Sequence, residues 1–99
     1  MRIISVKTIK DFWGNDKYRD AEQPLKAWHH EAKQAKWKSP NEIKFKYRSA
    51  SILNNNRVVF NIKGNQYRLV VAVNYNFQII FIRFIGTHKE YDKINAQTI

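Results

Sequence analysis

The chain has 99 residues, with 18 Lys and Arg against 8 Asp and Glu, a formal net charge of +10, 43% apolar content and no cysteine. That length suits one domain over residues 1–99 with one core, and three Trp, five Tyr and six Phe bring large surfaces to bury in it. The lack of cysteine excludes disulfides, thiolate nucleophiles and cysteine-based zinc sites, "RIISVK" is too short and too soon charged for a signal peptide, and no apolar run approaches the roughly 20 residues of a membrane span. A soluble, cytoplasmic protein without a membrane partner is the expectation.

"RIISV" opens with β-branched residues and reads as a short strand. Ser5 then caps a helix whose apolar positions Ile9, Phe12 and Trp13 keep helical spacing until Gly14-Asn15. Asp20 starts a clearer helix, with Gln23 three residues on as in a capping box and Pro24 in the first turn. Ala21, Leu25, Trp28, Ala32 and Ala35 form its buried stripe, and Ser39-Pro40-Asn41 ends it. "NEIKFKYR" alternates in its centre and reads as a half-exposed strand or extended arm, and "SASILNNN" as a polar loop with Ile52 and Leu53 as a small apolar plug.

Three strands follow, "RVVFNI", "QYRLVVAV" and "FQIIFIRFI", joined by "KGN" and "NYN". Gly and Asn tolerate the positive φ of tight hairpins, so an antiparallel meander is expected. These strands are apolar on both parities and require cover on two faces. With the helices on one side, the second face is left for a substrate or a protein partner. "THKE" ends the chain's apolar part as a capping box for a short C-terminal helix. The fold class is α+β.

The charge is unevenly placed. From Ile43 to Lys89 there is no carboxylate, while Lys44, Lys46, Arg48, Arg57, Lys63, Arg68, Arg83 and Lys89 all lie there. Unpaired cations of this kind are what phosphate binding needs, so nucleic acid, RNA above all, is the favoured partner. Arg68 and Arg83 each interrupt an apolar strand. A guanidinium there must reach solvent, bond a carbonyl or a carboxylate such as Glu31 or Asp92, or meet an anion, and two of them on one sheet face would embrace a phosphate. His88 is the one histidine in the basic half; it is either an exposed residue of a capped helix start or a proton-transfer group sharing a substrate with Tyr91 one turn away. His29 and His30 are assigned no role. No His/Asp/Glu set has the usual zinc spacing, and there is no P-loop, dinucleotide fingerprint or nucleophile elbow, so no metal or other cofactor is expected.

The blocks "VFNIKGNQYRL" and "THKEYD", in this order and at this separation, resemble the HigB-type toxins of bacterial type II toxin–antitoxin modules, within the wider RelE/ParE group. "IISVKTIKDFW" and "PLKAWHHEAKQAKWKSPNEIK" are similar to that family's N-terminal half, so the likeness spans nearly the whole chain. "YRSASILNNN" and "DKINAQTI" depart from the family pattern, which often has an F-P-x-A-D-like segment and a Gly- and Trp-containing ending there. The resemblance implies a RelE-like fold: an N-terminal strand, two helices, a twisted antiparallel sheet with a cleft and a short C-terminal helix. It also implies a metal-independent mRNA endoribonuclease, commonly acting on messages engaged by the ribosome and silenced by a HigA-like antitoxin. On that basis His88 is the base or acid, Tyr91 a stacking group or proton donor, and Arg68 and Arg83 phosphate clamps. Lys44, Lys46, Arg57, Lys63 and Lys89 would hold flanking RNA phosphates. The rival expectations are a ParE-like toxin that binds gyrase without catalysis and an RNA- or ribosome-binding module without cleavage.

Overall fold

The computed structural model describes all 99 residues. Strand β1 (Arg2–Ile4) leads through Ser5, held in the left-handed region at φ 71°, into α1 (Val6–Gly14), a change of direction too abrupt for extended backbone. The Ser5 side chain makes no cap bond; its carbonyl accepts from Thr8 N instead. A 3₁₀ segment (Asp16–Ala21) follows, then α2 (Glu22–Gln34) and α3 (Pro40–Lys46). The sheet strands are β2 (Ser51–Leu53), β3 (Arg57–Ile62), β4 (Tyr67–Asn74) and β5 (Ile79–Thr87), and α4 (His88–Tyr91) closes the series. The fold is α+β, with five strands in the order β1-β5-β4-β3-β2. No helix is long and apolar enough to cross a membrane.

The meander β2-β3-β4-β5 is antiparallel throughout, whereas β1 pairs with β5 in parallel, Ile3 against Ile80, so the sheet is mixed. Four local expectations are corrected. Pro40 does not simply end a helix: α2 stops at Gln34, and Pro40 occupies the first position of α3, where its missing N–H costs nothing. "NEIKFK" is therefore helical rather than extended, and its central alternation puts Ile43 in the core while Phe45 stands 82% exposed. "SIL" is the edge strand of a hairpin rather than a loop plug, because Asn55 and Asn56 take positive φ and turn the chain back onto β3. Asp20 does not cap α2 either; Ala21 holds that position, and the Asp20 carboxylate serves the sheet instead.

Pleat parity divides the sheet into two faces. Val58, Phe60, Leu69, Val71, Ile80 and Ile82 join Ile9, Leu25, Trp28, Ala32 and Ile43 in the main core under the helices. Complete burial of residues such as Phe60, Leu25 and Leu69 contributes about 1.5–3 kcal/mol each. The opposite face carries Val59 and Val70, packed against Ala96, with Leu53, Phe84, Tyr91, Ile94 and Ile99 at the margin. This is why the strands are apolar on both parities: the C-terminal segment returns across the second face and covers its centre. Arg57 Nε donates to the Ile99 carbonyl (2.9 Å) and Asn55 Nδ2 to that of Gln97 (3.2 Å), fastening the segment down.

A bulge interrupts the β4–β5 ladder. Val70 opposes Phe84 and Val71 opposes Ile82, so Arg83 has no partner and the inward parity shifts from Ile80 and Ile82 to Ile85. One extra residue thus places an arginine in an apolar strand without burying it: Arg83 is exposed.

Candidate functional site

The capping box at the end of β5 is present as expected. Thr87 Oγ1 accepts from Glu90 N (3.2 Å) and Glu90 Oε1 from Thr87 N (2.8 Å), which starts α4 at His88. His88 N donates to the Gln66 carbonyl (3.2 Å), so the β3–β4 turn and the start of α4 are joined directly. In that turn Lys63 and Gly64 take φ 52° and 64°. This conformation projects Asn65 toward Arg68, whose guanidinium donates to Asn65 Oδ1 (2.6 Å) and to the Asn65 carbonyl (3.3 Å). A guanidinium has five N–H donors, so Asn65 fixes its orientation and leaves three for another acceptor.

Arg68 stands opposite Gly86 on β5, and its guanidinium lies over the Tyr91 ring, 5.9 Å from the centroid. His88 Nδ1 lies 3.3 Å from Asp92 Oδ2, one turn on, and Nε2 has no protein partner. About half of each of these two side chains is exposed. Arg68, His88, Tyr91 and Asp92 therefore assemble around the junction of β4, β5 and α4, and no carboxylate pairs with Arg68. Gly86 makes the junction tight: a Cβ there would lie 2.6 Å from Phe84 Cζ and 3.0 Å from Glu90 Oε1.

Arg83 is not part of this group. It lies three residues back along β5 from Gly86, roughly 10 Å at strand rise, and its guanidinium leans over the Phe81 ring (5.5 Å), away from Arg68. The five flanking cations are also dispersed. Lys44 Nζ donates to the carbonyls of Arg48 and Ala50, both at 2.6 Å; Lys46 is 3.7 Å from Glu31; Arg57 holds Ile99 and Asn55; Lys63 is 2.6 Å from Asp20. Lys89 alone of the five is exposed with no hydrogen bond or ion pair. The surface at Arg68 is open: none of the five cavities of the molecule is lined by Arg68, Arg83, His88 or Tyr91.

A protonated guanidinium, an imidazole and a phenol on one shallow surface can together bind an anionic ester and move a proton. Against this geometry, a family model described as HigB_toxin, RelE-like toxic component of a toxin-antitoxin system, matches residues 21–94. The chain belongs to the HigB toxin family. The mRNA interferase toxin HigB of Escherichia coli strain K12 is 32% identical over 98 residues, covering 97% of this chain and 92% of that protein. The proteins called mRNA interferase HigB in Escherichia coli O157:H7 and Shigella flexneri match to the same extent. In this HigB-type chain, the nearness of His88 and Tyr91 was visible in the sequence, but the placement of Arg68 over the Tyr91 ring was not. Asn65 escaped notice as a site residue. Its only sequence signal is its place after Gly64, where a short polar side chain can reach a neighbouring strand.

The turn that carries Asn65 is itself anchored. Lys63 and Tyr67 both donate to Asp20, the latter at 2.5 Å, tying the 3₁₀ segment to the β3–β4 hairpin. Lys63 first and Tyr67 second hold the Asp20 carboxyl below the usual carboxylate range. Burial and then the Asp20 carboxylate push the Tyr67 hydroxyl up to about 12.

Proposed function

We propose that this chain is the toxin of a type II toxin–antitoxin module and an endoribonuclease that cuts mRNA in the cytoplasm, on messages engaged by the ribosome, until a HigA-like antitoxin neutralises it. The observation that carries the reading is the Arg68–His88–Tyr91 group: a guanidinium unpaired by any carboxylate, over a phenol ring and near a half-exposed imidazole, on an open surface. Such a surface suits a strand of RNA rather than a small molecule, which would need an enclosing pocket.

Metal-independent cleavage turns the RNA on itself. The ribose 2′-oxygen loses its proton, attacks the adjacent phosphorus and expels the 5′-oxygen, which takes up a proton; the products are a 2′,3′-cyclic phosphate and a 5′-hydroxyl. Arg68 stabilises the negative charge that builds up on the non-bridging oxygens, through the donors Asn65 leaves free. His88 moves a proton through Nε2, with Asp92 near Nδ1. Tyr91 stacks on a base or protonates the leaving oxygen. Arg83 and Lys89 clamp phosphates farther along the strand, and Lys44, Lys46, Arg57 and Lys63 add to the field that draws RNA in.

RNA carrying a single 2′-deoxynucleotide at the mapped cleavage position tests the chemistry. The expected result is loss of the cut at that position alone. Cutting at an unchanged rate contradicts internal attack, and intact message during growth arrest points instead to a toxin that acts by binding.

A further inference from the structure

Two adjoining cavities open at the other end of the sheet from α4, where the Tyr75–Gln78 turn joins β4 to β5. The larger, of about 680 Å³, is lined by Arg2, Lys33, Lys36, Lys38, Tyr75 and Gln78 among others. The second, of about 350 Å³, shares Arg2 and Lys33 and adds Lys10 and His29. Neither has an acidic residue in its lining.

A helix C-terminus ordinarily explains nearby lysines by its unsatisfied carbonyls. That need is already met here, since the Met1 ammonium donates to the carbonyls of Ala32 (3.3 Å), Lys33 (2.7 Å) and Ala35 (2.7 Å). The side chains of Arg2, Lys33, Lys36 and Lys38 make no ion pair, so their charge faces the groove uncompensated. The His29 imidazole registers the same field: burial first, then Lys33 and Lys10, hold it below its ordinary range. Phe77, at the tip of the turn, is 75% exposed beside Asn76 and Gln78 of the larger cavity. Gln78 Nε2 is held by the carbonyls of Trp37 and Tyr75, which leaves its Oε1 free to accept.

A run of unpaired cations beside an exposed aromatic is the combination that grips single-stranded nucleic acid: charge follows the backbone and a ring stacks on a base. An acidic peptide would use the charge but not the ring. We infer that this groove is a second site for single-stranded RNA, with Arg2, Lys33, Lys36 and Lys38 on phosphates and Phe77 against a base. It lies at the opposite end of β4 from Arg68, roughly 20 Å away at strand rise. The inference goes beyond the cleavage reading and is tested by binding alone.

The experiment is fluorescence anisotropy of a labelled, fully 2′-O-methylated RNA 12-mer, which the proposed chemistry does not cut. The triple variant Lys33→Gln/Lys36→Gln/Lys38→Gln should bind about tenfold more weakly or worse, with the slope of log affinity against log salt smaller by about 2. Phe77→Ala should lose about fivefold or more. A variant of the same net charge, Lys7→Gln/Lys17→Gln/Lys26→Gln, should lose about twofold at most, because Lys7 and Lys26 are already paired with Asp11 and Glu22. Equal losses in the two triples would overturn the inference, as would unchanged RNA affinity in the groove triple, whether or not it loses binding to a polyglutamate probe.

Discussion

Arg68 owes its position to two unlike contacts, the Asn65 amide that fixes its plane and the Tyr91 ring beneath it. Arg68→Lys keeps the charge but loses both the planar stack and the fork, so it should lower the cleavage rate by about a hundredfold, on the scale of losing an electrostatic donor to a developing charge. Asn65→Ala leaves Arg68 charged but unaligned and should reduce the rate less, about tenfold, with RNA affinity nearly unchanged. Single-turnover kinetics on a short RNA separate these outcomes from a loss of binding. At Gly86 the constraint is steric: Gly86→Ala drives a methyl into the Phe84 ring and should cost about 1–3 kcal/mol in urea unfolding. Arg68 and His88 stood out in the sequence as candidates, because a guanidinium in an apolar strand and a histidine after a strand-ending glycine both ask for a reason, while the role given to Tyr91 came with the family resemblance. That Arg83 stands apart was not legible, since the bulge that turns it out is a matter of ladder register, and no single residue type announces it.

The elements that support this group are held by a few polar ties over an apolar base. Asp20 has a carboxyl pKa held below its unfolded value near 3.9, so the tie's contribution to stability is complete above that value and is lost as pH falls through the folded pKa. Tyr67 works in the opposite direction. It keeps its proton up to about 12 in the fold, against roughly 10 in the unfolded chain, so stability falls as pH rises between those values. Thermal midpoints across pH should therefore show an acid limb that flattens in Asp20→Asn and an alkaline limb that shrinks in Tyr67→Phe, with both variants less stable at pH 7. The C-terminal segment is a second support. Removing residues 94–99 strips Ala96 from Val59 and Val70 and should cost about 1–3 kcal/mol, measured by urea unfolding. Strands β3, β4 and β5 were readable from β-branched runs between turn residues. Strand β2 was not, because three consecutive asparagines read equally as loop or hairpin, and α3 was missed because seven residues hold too few turns for period to decide between helix and strand.

For the molecule as a whole, the formal charge is +10, and cations without carboxylate partners stand at both ends of β4. One carries Arg68, His88 and Tyr91; the other carries the lysine-rich groove; between them the helices and the C-terminal segment cover the two sheet faces. Much of the basic surface in the carboxylate-free half turns out to fasten the chain to itself: Lys44 and Arg57 bond carbonyls, which leave no mark in a charge count, and Lys46 and Lys63 reach Glu31 and Asp20, carboxylates distant in sequence. The α+β class and the order of the main elements followed from periodicity, while the parallel pairing of β1 with β5 depends on long-range closure that local pattern does not encode. The central claim is that the Arg68–His88–Tyr91 surface cuts RNA, and mapping the 5′ ends of message after expression of the wild-type chain and of Arg68→Ala tests it most directly. New 5′ ends with the wild type, and none with a variant that keeps its thermal midpoint within a few degrees, are the predicted result; cleavage undiminished in the variant, or no cleavage by the wild type while growth stops, would contradict it.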